Sequence, residues 1–511
     1  VALGFALLGM SVPATASAQA ASGDPCAGLA QARLTDGQVL SAQTVSAGAF
    51  RTPGAAETPG DASLPAFCRV QARLTPSASS DVRIEVWLPA SGWNGRFQGV
   101  GNRGWGGVIN YALLKDALTA GYAAASTDTG HDGRGASFAL GQPEKVVDSG
   151  YRAVHVMTVA GKELVARFYG RSATWAYFNG CSLGGRQALS EVQRYPDDYH
   201  GVVAGSPANN LSALYSARLA MARSVHRSSS SAIPQAKAEL LHRAVLAACD
   251  GRDGVTDGVV DEPRSCRFDP QVLQCSGAAA DTCLTAEQVA TARSLYGDVR
   301  HPETNALLST GLMPGVEHRW SAVAGPEPDD NSLDFFRFVV LQDPTWNWQG
   351  ADFWPAVDRA LAKSGPVLDA VNPDIDAFVQ RGGRLLMYHG WADPQTPPGN
   401  TIAYRRAVGE RIGETRAAAS IRLFMAPGVG HCSGGDGPDT FDPVAALVRW
   451  VEEGVAPERL EAALVRDGKK VRTRPLCTEG AVAVWDGRGD TNVAASFSCV
   501  AQPESARSSN R

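Results

Sequence analysis

Apolar and polar positions alternate most clearly at 81–88, DVRIEVWL, where Val82, Ile84, Val86 and Leu88 fall on one face. That period of two predicts a strand with one buried face. Short apolar runs bounded by turn residues predict further strands at 96–100, 122–126, 175–178, 201–204, 384–388 and 421–425. Between several of them, helical patterns cover 148–168, 185–195, 375–380, 401–408 and 444–453. Strand and helix in turn imply an α/β fold with a mostly parallel sheet covered on both faces. Residues 207–372 break the rhythm. They hold helical stretches at 235–248 and 286–295, four cysteines, many Pro, Gly, Asp and Trp residues and little strand signal. The strand pattern resumes at RLLMYHG, so this segment reads as an insertion of the kind that forms lids and substrate pockets over a sheet's C-terminal edge.

The chain starts with an apolar run at 1–10, followed by small residues with Ala-x-Ala patterns at Ala16 to Ala18 and Ala18 to Ala20. This is the pattern of a secretory signal over residues 1–20, too short for a membrane span of about 20 apolar residues. A secreted or periplasmic protein is expected, with no membrane partner. The division that follows is a first core part at 21–206, an inserted lid at 207–372 and a second core part at 373–511. In an oxidising compartment the ten cysteines become informative: their even number suggests pairing, and the absence of any Cys-x-x-Cys weakens a zinc or thiol-redox reading. Charged residues make up 19% of the 511 and the formal net charge is -5, so no basic surface recommends nucleic acid as a partner.

The chemistry gathers at FNGCSLGGRQAL, 178–189, a Gly-x-Ser-x-Gly between a predicted strand and a predicted helix. In that context Ser182 is the candidate nucleophile, and the helix N-terminus favours a developing oxyanion. A serine hydroxyl needs a base and the base an orienting acid, in the chain order Ser, Asp or Glu, His for α/β-hydrolases. Asp393 in LLMYHGWADPQTPP and His431 in RLFMAPGVGHC satisfy that order, each in a loop after a strand. His389 precedes Asp393 and reads as a buried histidine bonded to backbone, while His131 precedes Ser182 and would need another order. The backbone N–H groups of Leu183 and, within GVGNRGWGG, of Gly104 are the candidate oxyanion donors. Cys181 precedes the serine and Cys432 follows the histidine, so a disulfide between them would clamp the two loops that must meet.

The pieces NGCSLGGRQAL, YHGWADPQTPPGNTIAY, APGVGHCSGGDGPDTFDPV and WNGRFQGVGNRGWGG together make the chain similar to the tannase and feruloyl esterase family. The resemblance implies an α/β-hydrolase fold with a large inserted lid, a Ser-His-Asp esterase, and a Cys-Ser, Asp, His-Cys arrangement joining triad and disulfide. It also implies structural Ca²⁺ in the lid. In CDGRDGVTDGVVDEPRSC, 249–266, closely spaced aspartates among turn glycines suit a hard cation but equally a solvated acidic turn. The family assigns the ion to the side chains of Asp250, Asp253 and Asp257 and the carbonyls of Val255 and Val259. It likewise suggests the pairs Cys26 with Cys68, Cys249 with Cys266, Cys275 with Cys283, and Cys477 with Cys499.

What the resemblance implies about substrate is a small-molecule or polysaccharide-linked aromatic ester. Feruloyl esters come first, with galloyl esters (tannase) or mono-hydroxyethyl terephthalate as alternatives. Trp320, Phe335, Phe336, Phe338, Trp346, Trp348, Phe353 and Trp354 in the lid are candidates for stacking on a ring, although such residues more often fill a lid's core. Arg319 or Arg337 would favour a free carboxylate if either lay near the pocket. A non-catalytic binding module of the same fold and a peptidase with the same triad are the rival classes.

Overall fold

Strands whose residues are apolar on both faces must be covered on both, and the centre of this chain is built that way. A computed structural model of the protein describes Val1 and residues 24–54, 60–278 and 280–502; the signal segment expected at 1–20 lies almost wholly outside the described residues. In chain order the strands are β1 (Arg33–Leu34), β2 (Gly37–Val45), β3 (Phe67–Leu74), β4 (Val82–Pro89), β5 (Arg96–Val100), β6 (Ala123–Thr127), β7 (Trp175–Cys181), β8 (Gly201–Gly205), β9 (Val299–Arg300), β10 (Leu307–Ser309), β11 (Arg384–Gly390) and β12 (Ile421–Ala426), followed by β13 (Arg459–Arg466), β14 (Lys469–Cys477), β15 (Ala481–Trp485) and β16 (Phe497–Ala501).

Ten of these form one sheet in the order β1-β2-β3-β4-β6-β5-β7-β8-β11-β12. From β6 to β12 neighbouring strands run parallel, whereas β1 to β4 form an antiparallel meander joined to β6. The expected parallel sheet is therefore one half of a mixed sheet. The strand at β4 also differs from expectation, since its second face is buried too. Val82, Ile84, Val86 and Leu88 are almost fully covered, and so are Glu85 and Trp87 opposite them. The Glu85 carboxylate is made tolerable there by Arg69 and by the Trp87 Nε1–H, which donates to it at 2.9 Å.

Alternation along the strands sorts the core into two layers. Ile84, Phe97, Phe178, Val202 and Met387 pack with the helix Ala153–Tyr169 on one face. Trp87, Tyr177, Val203, Leu386 and Phe424 pack with the helices Tyr111–Thr119 and Pro443–Glu453 on the other. Between β8 and β11 the chain leaves the sheet through the helices Leu211–Val225, Gln235–Cys249 and Ala286–Tyr296 and the short β9–β10 hairpin. This segment has cores of its own, one around Phe335, Phe336 and Phe353 and one around Trp320 and Leu295. Past Pro443–Glu453 come two further hairpins, β13–β14 and β15–β16.

Five disulfides join Cys26 to Cys68, Cys181 to Cys432, Cys249 to Cys266, Cys275 to Cys283, and Cys477 to Cys499. Among the described residues no helix is long and apolar enough to cross a membrane.

Candidate active site

β7 ends at Cys181 and the helix Leu183–Arg194 begins at once, so the turn between them is a single residue, Ser182. Its backbone sits at φ 63° and ψ -119°, a conformation that L-residues rarely occupy and that lifts the side chain clear of the sheet. Glycines make the turn possible. A Cβ on Gly180 would stand 2.4 Å from the Gly184 carbonyl oxygen, and one on Gly185 would stand 2.4 Å from that of Gly205. The turn is held by the Ser182 N–H donating to Gly205 O at 3.0 Å and by Gly184 N–H donating to Asn102 O at 2.9 Å.

The structure brings Ser182, His431 and Asp393 together. Ser182 Oγ lies 2.7 Å from His431 Nε2, and His431 Nδ1 lies 2.7 Å from Asp393 Oδ2. Asp393 is fully buried at the end of β11, and its Oδ1 accepts from the backbone N–H groups of Gln395 and Thr396 at 2.9 and 3.0 Å. Burial alone would raise its pKa. The opposing influence of His431, with hydrogen bonds from His389 and His431, outweighs this and holds the carboxyl below the usual carboxylate range. An ionised carboxylate in that position keeps the Nδ1–H tautomer of His431 and leaves Nε2 to take the serine proton.

His389 does bond to backbone, with Nε2 2.7 Å from Thr396 O, but it does more. The same Nε2 is 3.2 Å from Asp393 Oδ2, and Nδ1 accepts from Thr401 Oγ1–H at 2.8 Å. It is thus a second orienting contact for the acid. His131 is held elsewhere, with Nε2 2.9 Å from Trp105 O and its ring stacked on Phe138. Cys181 and Cys432 place their Cα atoms 6.0 Å apart across 251 residues of chain, tying the end of β7 to the residue after His431.

Ser182 and His431 open onto a cavity of about 170 Å³ that also includes Gly104 and Leu183. Neither of these two has an intramolecular acceptor for its backbone N–H among the described residues. The apolar wall is Ala208, Leu211, Leu214 and Tyr215, all from the segment between β8 and β11. None of the eight lid aromatics singled out from sequence lines it. Phe335, for example, packs behind Tyr215 and Trp105. The arginines also differ: Arg218 and Arg103 reach the cavity, and Arg319 and Arg337 do not. Arg218 is ion-paired to Asp329 at 2.8 Å and donates to Gln395 O, so its charge is largely matched. A larger groove of about 550 Å³ adjoins the cavity and shares Arg103, Cys432 and Ser433 with it.

In the acidic loop, both Asp250 oxygens accept from the backbone N–H groups of Asp257 and Gly258. Asp253 Oδ2 and Asp257 Oδ1 are buried without a hydrogen-bond partner, while Asp257 Oδ2 pairs with Arg474 and Arg472. Removal from water and the neighbouring Asp253 charge push the Asp261 carboxyl well up. Val255 and Val259 lie on the same loop, and Cys249–Cys266 closes it. Unpartnered buried carboxylate oxygens at this density fit a hard cation.

Comparison with known proteins places the chain in a family. The family model described as "Tannase and feruloyl esterase" matches residues 68–333 and 334–500. An uncharacterized esterase of Xanthomonas campestris pv. campestris is 37% identical over 96% of this chain and 93% of its own. A probable feruloyl esterase B of Emericella nidulans is 32% identical, covering 85% of this chain and 86% of its own. Among solved structures, feruloyl esterase B from Aspergillus oryzae superposes with a TM-score of 0.86 at 28% identity, over 93% of this chain and 99% of that one. The chain accordingly belongs to the tannase and feruloyl esterase family and is a carboxylic ester hydrolase of the α/β-hydrolase fold.

Proposed function

We propose that the protein is an exported serine esterase that hydrolyses esters of aromatic acids, feruloyl (hydroxycinnamoyl) esters first, by a two-step acyl transfer. The observation that carries this reading is the Ser182–His431–Asp393 chain of contacts, 2.7 Å at each step, at the mouth of a cavity with one apolar wall. As Ser182 Oγ attacks the ester carbonyl, its proton passes to His431 Nε2. Asp393 stabilises the imidazolium that forms, and the backbone N–H groups of Gly104 and Leu183 receive the oxyanion. The tetrahedral intermediate collapses, His431 returns the proton to the departing alkoxide, and the acyl group stays on Ser182. A water molecule then attacks the acyl-enzyme with His431 again taking the proton; the bond to Ser182 Oγ breaks, His431 returns the proton to that oxygen, and the free acid leaves.

The substrate reading rests on the cavity and on the relatives' names. A cavity of about 150 Å³ is enough for a benzene-sized ring, so the space beside Ser182 suits one aromatic ring edged by Tyr215, Leu211 and Leu214. Its small size favours a second reading, galloyl or other benzoyl-type esters, whose ring is attached directly to the carbonyl. Residues 207–372 act as the lid in this account, supported by their supplying most of the apolar wall. A calcium ion held by Asp250, Asp253 and Asp257 with the carbonyls of Val255 and Val259 would brace that lid, with Asp261 alongside. Export is supported by five disulfides, which persist in oxidising compartments.

A panel of methyl ferulate, methyl gallate, mono-hydroxyethyl terephthalate, an aliphatic methyl ester and the matching anilides tests the proposal. The expected result is the highest kcat/KM on methyl ferulate, with the anilides inert. No turnover of any aromatic ester would refute the proposal; cleavage of the anilides would favour the peptidase alternative, and a wholly inert panel the binding module.

A further inference from the structure

Away from the catalytic cavity, three side chains from three separate segments meet where the inserted segment touches the loop that carries His431. His242 lies on the helix Gln235–Cys249, His318 on the turn Glu317–Arg319, and Asp436 four residues beyond Cys432. One ring nitrogen from each histidine and one carboxylate oxygen of Asp436 all lie within 4.8 Å of one another. The two imidazole rings are 4.0 Å apart, and His318 Nε2 stands 3.1 Å from Asp436 Oδ2. Ligand atoms at about 2.0–2.1 Å from a tetrahedral zinc ion stand about 3.3 Å from one another. The His318–Asp436 spacing already matches that figure, and His242 lies within 4.8 Å of both, close enough for a side-chain rotation to bring it in.

The hydrogen bonding around the cluster points the same way. Both ring nitrogens of His318 are buried without an aligned hydrogen-bond partner, so a simple ion pair leaves this imidazole unsatisfied. His242 is oriented from behind, with Nδ1 3.2 Å from Glu317 Oε2. Glu317 is itself buried, and its Oε1 accepts from Tyr296 Oη–H at 2.7 Å and Gly315 N–H at 2.8 Å. A carboxylate on one ring nitrogen fixes the tautomer and raises the basicity of the other, the usual support for a metal-bound histidine. Arg319 adds a positive charge next to the cluster, which the carboxylates of Asp436 and Glu317 offset.

We propose that His242, His318 and Asp436 form a binding site for a divalent transition-metal ion, zinc in the first place, with water as the fourth ligand. Two imidazoles and one carboxylate suit zinc, whereas the oxygen-only loop at Asp250–Asp261 suits calcium, so the two sites select different ions. The ion would join the inserted segment to the catalytic-histidine loop. That loop is folded on itself: the Asp436 and Gly437 N–H groups both donate to Gly428 O, and Gly430 N–H donates to Gly434 O. Pinning Asp436 therefore restrains His431 and Cys432 as well.

The test uses the full chain in calcium-containing buffer, so that the acidic loop stays loaded, titrated with zinc sulfate and separately with cobalt(II) chloride. One equivalent of zinc should bind and raise Tm by several degrees, and cobalt(II) should show the visible absorption of four-coordinate ligation. His318→Gln and Asp436→Asn should each weaken zinc binding at least tenfold while keeping the wild-type circular dichroism. Asp436 is partly exposed, so its variant carries the test if His318→Gln does not fold. Zinc binding that is absent from the wild-type chain, or equally strong in the folded variants, would overturn the proposal.

Discussion

Replacing Cys181 and Cys432 together by alanine separates what a disulfide does for the fold from what it does for the site. In the loop-entropy picture, a closed loop of 251 residues restricts the unfolded chain by about 5.5 kcal/mol, an upper figure against the 2–4 kcal/mol typically seen. The Cys477–Cys499 bond closes 22 residues, for about 3.4 kcal/mol on the same basis. On stability alone the two deletions differ by only about 2 kcal/mol. On catalysis they should differ far more. Cys181 and Cys432 adjoin Ser182 and His431, and a misplacement of about 1 Å between reacting groups costs on the order of 10²-fold in rate. Assayed with a chromogenic aromatic ester at 15–20 °C, where both variants stay folded by circular dichroism, the Cys181/Cys432 variant should lose about 10²-fold in kcat. The Cys477/Cys499 variant should remain within about threefold of wild type, in keeping with a bond remote from the chemistry. Near-wild-type kcat in a folded Cys181/Cys432 variant would refute the idea that this bond aligns the two loops.

Four further outcomes follow from named contacts. Asp393→Asn should lower kcat on the order of 10⁴-fold by losing control of the His431 tautomer. Because the folded pKa of Asp393 is depressed, its charge stabilises the native state above the unfolded value of about 3.9 and this is lost as pH falls through the folded value. The stability difference between wild type and Asp393→Asn in denaturant titrations should therefore be present at about pH 5 and shrink as pH falls below about 4. Tyr215→Ala should raise KM about tenfold for aromatic esters and much less for aliphatic ones, as expected for loss of a ring contact of about 1.5 kcal/mol. Calcium chelation and Asp253→Asn should each lower Tm by several degrees in calorimetry, with kcat at 20 °C little changed.

The parts of this fold most legible in the sequence are those where burial is two-sided or strictly alternating. β7, β8, β11 and β12 are short apolar runs between turn residues, and glycines around Ser182 mark a turn that only a strand-to-helix junction needs. Chain order then picked out Asp393 and His431, which do stand beside Ser182. β3 is absent from the expected strands although its alternation was readable, with Cys68, Val70, Ala72 and Leu74 buried between the more exposed Arg69, Gln71 and Arg73. β2 was not, since its nine residues include only one buried side chain. The cavity wall was hidden for another reason. Tyr215, Leu211 and Leu214 sit on a helix buried on nearly all sides, so no periodicity separates wall from core. The contact of His389 with Asp393 likewise depends on how the loop after β11 folds back, which spacing along the chain does not encode.

The central claim is that Ser182 carries the acyl group. Rapid quenching of the wild-type chain during turnover of a slow aromatic ester, followed by peptide mass spectrometry, should find the acyl mass on the peptide containing Ser182. It should also find none in the Ser182→Ala chain, whose kcat should fall on the order of 10⁶-fold. An acyl adduct on another residue, or a Ser182→Ala chain that still turns over the ester, would contradict the account.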